Sequence, residues 1–379
     1  MMMNIYERIG LKRVINACGK MTILGVSAVD RTVMDEVAEA ASNYVEIDTL
    51  IDRVGELIST HTGAEDSCVT SSASAGIAIS VAAVISKGDP NLVERLPDSS
   101  GLANEVILLK GHSVNYGAPV TTMVRLGGGV PVEVGQANES EAFHVASAIT
   151  GRTAAILYVK SHHAVQKGMV PLAEMIRIAH EHGLPLIIDA AAEEDLKKYV
   201  AAGADLVIYS GAKAIDAPTS GFITGRKALI AACKAQYHGI GRPMKIGKEC
   251  MLGLVKALDR YAVHKHDGRA DIPALEAAIA EINGIRGLSA ELEQDEAGRE
   301  IYRARVRVHA DVLGVDAAAI EAQLRGGSPA IYTRKYYLNA GVFSIDPRPL
   351  QGDDLAVIVA RLRQLAGACL QENTAKENA

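Results

Sequence analysis

The polar and apolar positions of this chain follow two rhythms. Apolar runs of strand length recur at SCVTS (67–71), EVILLK (105–110), TTMVRL (121–126), TAAILYV (153–159), LPLIIDA (184–190), DLVIYS (205–210) and GFITG (221–225). Between most of them lie longer amphipathic stretches, including SASAGIAISVAAVISKG, ESEAFHVASAITG, PLAEMIRIAHEHG and AEEDLKKYVAAG. Pro171 near a helix start, and Gly183 and Gly203 after helix ends, punctuate the last two. Short strands alternating with helices predict a mostly parallel seven-stranded sheet with helical crossovers. Helices over 31–45 and 47–61 precede this block. A long helix is predicted from 246 to about 266. Beyond it the pattern reads helix 271–284, strands near 288–294 and 301–309, helix 315–325, strands near 330–345 and helix 351–370. The predicted architecture is α/β, with a large domain over 1–245 that includes the N-terminal segment. Residues 246–379 supply the bridge helix and a smaller α+β domain.

Composition narrows the function classes. Aromatic residues make up 4% of the chain and tryptophan is absent, so the core must be built from Ala, Val, Ile and Leu, as suits buried parallel strands. The formal charge is -6 with no dense block of Lys or Arg, which argues against a nucleic-acid partner. No window approaches the roughly 18 consecutive apolar residues of a membrane span, and MMMNIYERIGLKRVINA lacks a signal-peptide core. Five scattered cysteines without a CxxC pair read as reduced thiols of a cytoplasmic protein. HEH (180–182) and HKH (264–266) diverge by about 200° on a helix, so no metal is expected.

The candidate chemistry collects at the carboxyl ends of the predicted strands. Asp189 closes one apolar run, at the edge where open α/β sheets bind ligands, and Lys213 follows the next run in YSGAKAIDAPTSG. Neighbouring strand ends bearing an aspartate and a lysine meet the needs of pyridoxal 5'-phosphate. The lysine amine, made more nucleophilic by burial, condenses with the aldehyde. The carboxylate keeps the ring nitrogen protonated. VTSSASAGIAIS (69–80) offers a strand end, small hydroxyl residues and a helix start. Ser71, Ser72 and the Ala73 amide are therefore candidate phosphate ligands, with Ser210 joining from the lysine strand. His112, with Tyr116 second, is the candidate to stack on the ring. His162 and His163 sit beyond another strand end, and adjacent residues on an extended segment face opposite ways, so one of the two faces the ligand. Arg242 and Lys245 in GIGRPMKIGKE, and Arg334 and Arg348 in the small domain, are candidate ligands for a substrate carboxylate or phosphate.

INACG (15–19), HTGAEDSCVTSSASAG (61–76), the DA of IIDA (189–190) and YSGAKAIDAPTSGFITG (209–225) together resemble the fold-type I pyridoxal-phosphate enzymes. Within them the chain is most similar to the branch related to bacterial selenocysteine synthase. It departs from the synthases in carrying TSSAS where an Asn-rich phosphate loop is expected, and no extra N-terminal tRNA-binding domain is expected. NACGKMT, KSHHAVQKGMV and GRPMKIGKE point to a subgroup acting on a phosphorylated amino-sugar acid. The resemblance implies an α,β-elimination that releases ammonia, catalysed by Lys213 with His162 or His163, in a homodimer or higher oligomer. A selenocysteine-synthase-like or other amino-acid lyase or transferase is the alternative with the same cofactor. A lysine aldolase without cofactor would leave TSSAS and Asp189 without a role, and a non-catalytic binding protein would have lost at least one core residue, whereas none is missing.

Overall fold

The computed structural model describes residues 4–161, 163–263, 268–295 and 299–377. The chain divides into two compact units, one of residues 29–265 and one of residues 1–28 with 266–379. This differs from the predicted boundary at 245/246 in two ways. Val14–Ala17 is a strand paired in parallel with Ala330–Thr333, so the N-terminal segment completes the C-terminal unit instead of the large one. The long helix, Lys248–Val263, belongs to the large unit, where it packs on the helices Arg31–Ser42 and Ile47–Thr62. Gly253 permits that approach, since a methyl group there would lie 2.7 Å from a Val37 methyl.

The large unit is built on seven strands: β1 (Asp66–Thr70), β2 (Glu105–Leu109), β3 (Val130–Val134), β4 (Thr153–Val159), β5 (Leu186–Asp189), β6 (Leu206–Ser210) and β7 (Gly221–Gly225). Their order is β1-β7-β6-β5-β4-β2-β3. Only β7 runs against its neighbours, β1 and β6. Every residue of β4 is buried, as expected for a central strand covered on both faces. On one face lies the helix Ala73–Ser86, buried at every position except Ser74, which explains why its sequence is apolar all round.

Six of the seven strand expectations match observed strands, and TTMVRL does not. Val120–Leu126 is a helix that buries Val120, Thr121 and Val124, a helical spacing, and the third strand begins only after the GGG run, at Val130. The β-branched content of the segment imitates a strand, whereas the burial follows the helical period. The AEEDLKKYVAAG stretch also departs from expectation, being helical only over Lys198–Ala201. The Asp195 carboxylate accepts from the Lys197 and Lys198 amides at 3.0 Å each and starts the helix late.

The other unit carries a three-stranded antiparallel sheet of Leu288–Gln294, Tyr302–Val308 and Val342–Ile345. The helices Ile272–Asn283, Ala317–Gly326 and Asp354–Glu377 bury Leu275, Ile282, Ile320, Leu324, Ile358 and Leu362 in its core. No helix among the described residues is long and apolar enough to cross a membrane.

Candidate active site

The carboxyl edge of the large sheet gathers the chemistry. β5 and β6 are parallel neighbours with Asp189 opposite Ile208, so Asp189 and the turn after Ser210 emerge side by side. Asp189 is only 5% exposed. Burial raises its pKa, against the pull of the Lys213 charge and of the Ala191 amide, which donates to its Oδ1 at 3.1 Å. Its main-chain carbonyl accepts from the Lys160 amide at 2.8 Å and fixes the start of the next loop. A carboxylate so enclosed and so near an ammonium is arranged to receive a charged hydrogen-bond donor.

Lys213 lies, partly buried, in the turn that returns the chain to antiparallel β7. The turn is closed by Gly211 N–H to the Ser220 carbonyl at 3.0 Å and by Ala217 N–H to the Gly211 carbonyl at 2.9 Å. Asp216 takes a left-handed φ of 58°, a conformation that costs a residue with a Cβ and persists because the closed turn imposes it.

Beside this turn the helix Ala73–Ser86 begins. The Ser72 Oγ accepts from the Ala75 amide at 3.1 Å and caps the helix, so this oxygen is already engaged. Thr70 Oγ1 donates to the Ser72 carbonyl at 2.8 Å and holds the loop in place. Ser71, Ser72 and Ser74 are the partly exposed residues around the nearly buried Ala73, so the helix start presents amides and small hydroxyls. Ser74 is the member of this set that the sequence reading passed over. Its signal was its place in the first helical turn. Gly221 on β7 abuts the loop closely, and a methyl group there would lie 2.5 Å from the Ser72 carbonyl carbon and 2.7 Å from the Ala73 nitrogen.

The remaining sequence candidates fall differently. Ser210, at the end of β6, is partly exposed and donates its amide to the Ala191 carbonyl at 3.3 Å. His112 is fully enclosed. Its ring stands edge-on to Tyr158 at 4.5 Å, and its Nδ1 accepts from the Val159 amide at 3.3 Å. Burial pulls its pKa down to about 4, leaving it neutral. Tyr116, not His112, therefore carries the accessible aromatic surface beyond β2. Burial first, then the Asp189 carboxylate, pushes the Tyr116 phenol up to about 12, with Ser74 opposing. His162 lies outside the described residues. His163 is partly exposed in the loop after β4, where its amide donates to Ser161 Oγ at 3.2 Å. Gln166 ties that loop together, accepting from Lys160 Nζ at 2.7 Å and donating to the Ser161 and Ala164 carbonyls at 3.4 Å.

Arg242 and Lys245 are exposed and make no ion pair among the described residues. Lys248, by contrast, donates to the Ala40 and Ala41 carbonyls and so satisfies the end of Arg31–Ser42. Arg334 and Arg348 belong to the other unit. Arg348 is committed to Asp346 through contacts of 2.9 and 2.8 Å. Arg334 is partly buried and lies over the Tyr336 ring at 5.0 Å. Burial and then the Arg303 charge lower its pKa, with Asp346 opposing.

Within the large unit, a buried carboxylate, a lysine on the adjacent strand end and a helix start crowded by glycine fit pyridoxal phosphate. Comparison with known proteins points the same way. The family model described as L-seryl-tRNA selenium transferase matches residues 14–324. D-glucosaminate-6-phosphate ammonia lyase of Salmonella typhimurium (strain 14028s / SGSC 2262) is 60% identical, covering 96% of this chain and 98% of its own. A 5'-C-glycyluridine monooxygenase-decarboxylase of a Streptomyces species is 45% identical over 95% of this chain and 91% of its own. A solved structure of D-glucosaminate-6-phosphate ammonia-lyase, 59% identical, superposes with a TM-score of 0.92 over 97% of this chain and all of that one. The fold-type I architecture implied by the sequence motifs is therefore that of the protein.

Proposed function

The chain belongs to the L-seryl-tRNA selenium transferase family, and on that premise we propose that it is a pyridoxal-phosphate-dependent lyase. Its substrate is D-glucosaminate 6-phosphate, and its products are ammonia and 2-keto-3-deoxy-6-phosphogluconate. The observation that carries this reading is the enclosed Asp189 beside the Lys213 turn, in a chain 60% identical over 96% of its length to a lyase of that name. The 45% identity to the monooxygenase-decarboxylase supports the shared site more than a shared reaction.

Each residue has a task in this scheme. Lys213 supplies the amine that holds the cofactor aldehyde. Asp189, whose charged form the Lys213 charge and the Ala191 amide favour against the burial that raises its pKa, would accept a hydrogen bond from the ring nitrogen. Amides at the start of Ala73–Ser86, with Ser71, Ser74 and Ser210, receive the cofactor phosphate, while the Ser72 hydroxyl keeps its capping role. Tyr116 covers one side of the ring. When bound, the cofactor supplies an electron sink for the charge left at the substrate α-carbon. Lys213, His162 and His163 are the candidates to carry the α-proton and to protonate the departing 3-hydroxyl. One water leaves in that elimination and one returns in the hydrolysis that frees ammonia, so the net reaction consumes no other reactant. Arg242 and Lys245, exposed and unpaired among the described residues, suit the substrate phosphate. Of the two candidates in the smaller unit, Arg348 has its guanidinium held by Asp346, and Arg334 makes no ion pair among the described residues. The protein is assigned to the cytoplasm, as a homo-oligomer.

Borohydride reduction of the protein loaded with pyridoxal phosphate tests the site directly. A pyridoxyl group on the peptide carrying Lys213 is expected. A colourless protein with Lys213 unmodified would refute the cofactor assignment.

A further inference from the structure

The loop that follows Asp189 is held in an unusual way. Residues 190–196 read AAAEEDL, a sequence that solvent would normally claim, yet Ala191, Ala192, Glu193 and Glu194 are all partly buried and Leu196 is buried. Three phenol groups from three different elements converge on it. Tyr209 of β6 donates to the Asp195 carbonyl at 3.0 Å, and Tyr261 of the helix Lys248–Val263 donates to the Glu194 carbonyl at 2.6 Å. Tyr199 donates to the Glu193 carboxylate at 2.5 Å. Tyr199 and Tyr209 are each 1% exposed, and Tyr209 stacks on Phe222 at 5.3 Å, so these hydroxyls are aimed by packed rings. All three phenols are pushed above their ordinary pKa, first by burial and then by the nearby acidic residues, so they remain donors at any working pH.

What the loop controls is the carboxylate at its root. The Ala191 amide donates to Asp189 Oδ1, the Ala191 carbonyl accepts from Ser210, and the Glu193 amide closes back on the Ala190 carbonyl at 3.0 Å. The amide that holds Asp189 is therefore fixed from both sides, by β6 on one and by the phenol-bound residues 193–195 on the other. A buried carboxylate depends on such a donor to stay ionised, and a donor on an unanchored loop would wander. We propose that Tyr209 and Tyr261 are positioning residues, which fix the loop 190–195 so that the Ala191 amide keeps Asp189 oriented toward the cofactor ring nitrogen. The proposal rests on the cofactor reading above for the ring nitrogen, and on the structure alone for the loop.

Tyr261→Phe and Tyr209→Phe remove single hydroxyls while keeping the rings, and each is tested in two ways. Hydrogen–deuterium exchange of the cofactor-free protein reads the loop. Exchange over 190–196 is expected to rise roughly three- to tenfold, the equivalent of one neutral hydrogen bond, with the strands β4 and β6 unchanged. Titration with pyridoxal phosphate, followed by its absorbance across pH, reads Asp189. Each variant is expected to weaken binding by about the same factor and to move the absorbance–pH midpoint of the bound cofactor. In an Asp189→Asn background the same Tyr→Phe change should add nothing to the binding loss. Unchanged exchange over 190–196 in both variants would overturn the clamp. Losses that multiply in the Asp189→Asn background would overturn its action through Asp189. If wild-type protein bound no pyridoxal phosphate, the cofactor reading would fall, while the exchange result would still decide whether the phenols hold the loop.

Discussion

Asp189 and Lys213 stand out in the sequence because charged groups at the ends of apolar runs call for a chemical reason, and in the structure Asp189 is buried and Lys213 partly buried at neighbouring strand ends. Asp205 shows the converse. It opens the apolar run DLVIYS, where local pattern alone suggests a solvated strand start, yet it is 1% exposed, accepts from Arg226 Nε at 2.8 Å and from the Leu186 amide at 2.8 Å, and pairs with His180 at 3.1 Å. None of those partners adjoins it in sequence, so periodicity could not reveal them. The phenols on residues 193–195 escaped for the same reason. Two predictions belong at this scale. Asp189→Asn removes the negative charge facing the ring nitrogen but leaves Lys213 in place. Borohydride labelling of Lys213 should persist, while kcat falls on the order of a hundredfold or more, as when a charge-stabilising group is lost. Steady-state kinetics beside peptide mapping checks both halves. Gly221→Ala places a methyl group against the Ser72–Ala73 backbone. It should cost about 1–3 kcal/mol of stability and weaken pyridoxal phosphate binding, read by thermal unfolding and by titration. Unchanged binding would mean the helix start does not receive the phosphate.

Elements were predicted well where burial and propensity agree and poorly where they part. β4 and the helix Ala73–Ser86 are apolar in a way only one structure satisfies. TTMVRL has strand-like residues on a helix, and the segment Val14–Ala17 finds its partner at Ala330–Thr333, too far along the chain for local pattern to show. The small unit's charged core was equally hidden. Arg303 bridges Asp346 at 2.9 Å and Asp295 at 3.0 Å, with side chains exposed by 4%, 0% and 3% respectively. Burial alone would raise both acids. For Asp346, Arg348 and Arg303 outweigh burial and hold it well below the carboxylate range, and for Asp295, Arg299 and Arg303 bring it to about 2. Because both folded-state values are depressed, the stabilisation is complete above the ordinary carboxylate pKa of about 4. It is lost as pH falls from there through about 2. Arg303→Met, which leaves two buried carboxylates short of a partner, should destabilise by about 3–5 kcal/mol at neutral pH. Its deficit relative to wild type should shrink as pH falls to roughly 3 and the unfolded-state advantage of the charged acids disappears. Circular dichroism of urea unfolding at the two pH values measures this, and a deficit independent of pH would exclude the ionic account.

At the scale of the whole molecule, the fold class and the family were legible because the motifs that carry them are spread over the chain, from INACG (15–19) to the glycine-rich β7. The division into units was not, because it depends on the N-terminal strand joining the C-terminal unit. Nor was the substrate legible from the residues themselves. Exposed Arg242 and Lys245 are compatible with any anionic group, and only the likeness over 96% of the chain singles out a phosphorylated amino-sugar acid. The central claim is therefore tested most directly by ammonia release from D-glucosaminate 6-phosphate, unphosphorylated D-glucosaminate and D-serine, compared as kcat/KM with the pyridoxal-phosphate-loaded protein. The phosphorylated sugar acid should lead each of the others by roughly a hundredfold or more, the worth of about two charge-assisted hydrogen bonds to its phosphate. Equal rates on all three, or no ammonia from the phosphorylated sugar acid, would contradict the assignment.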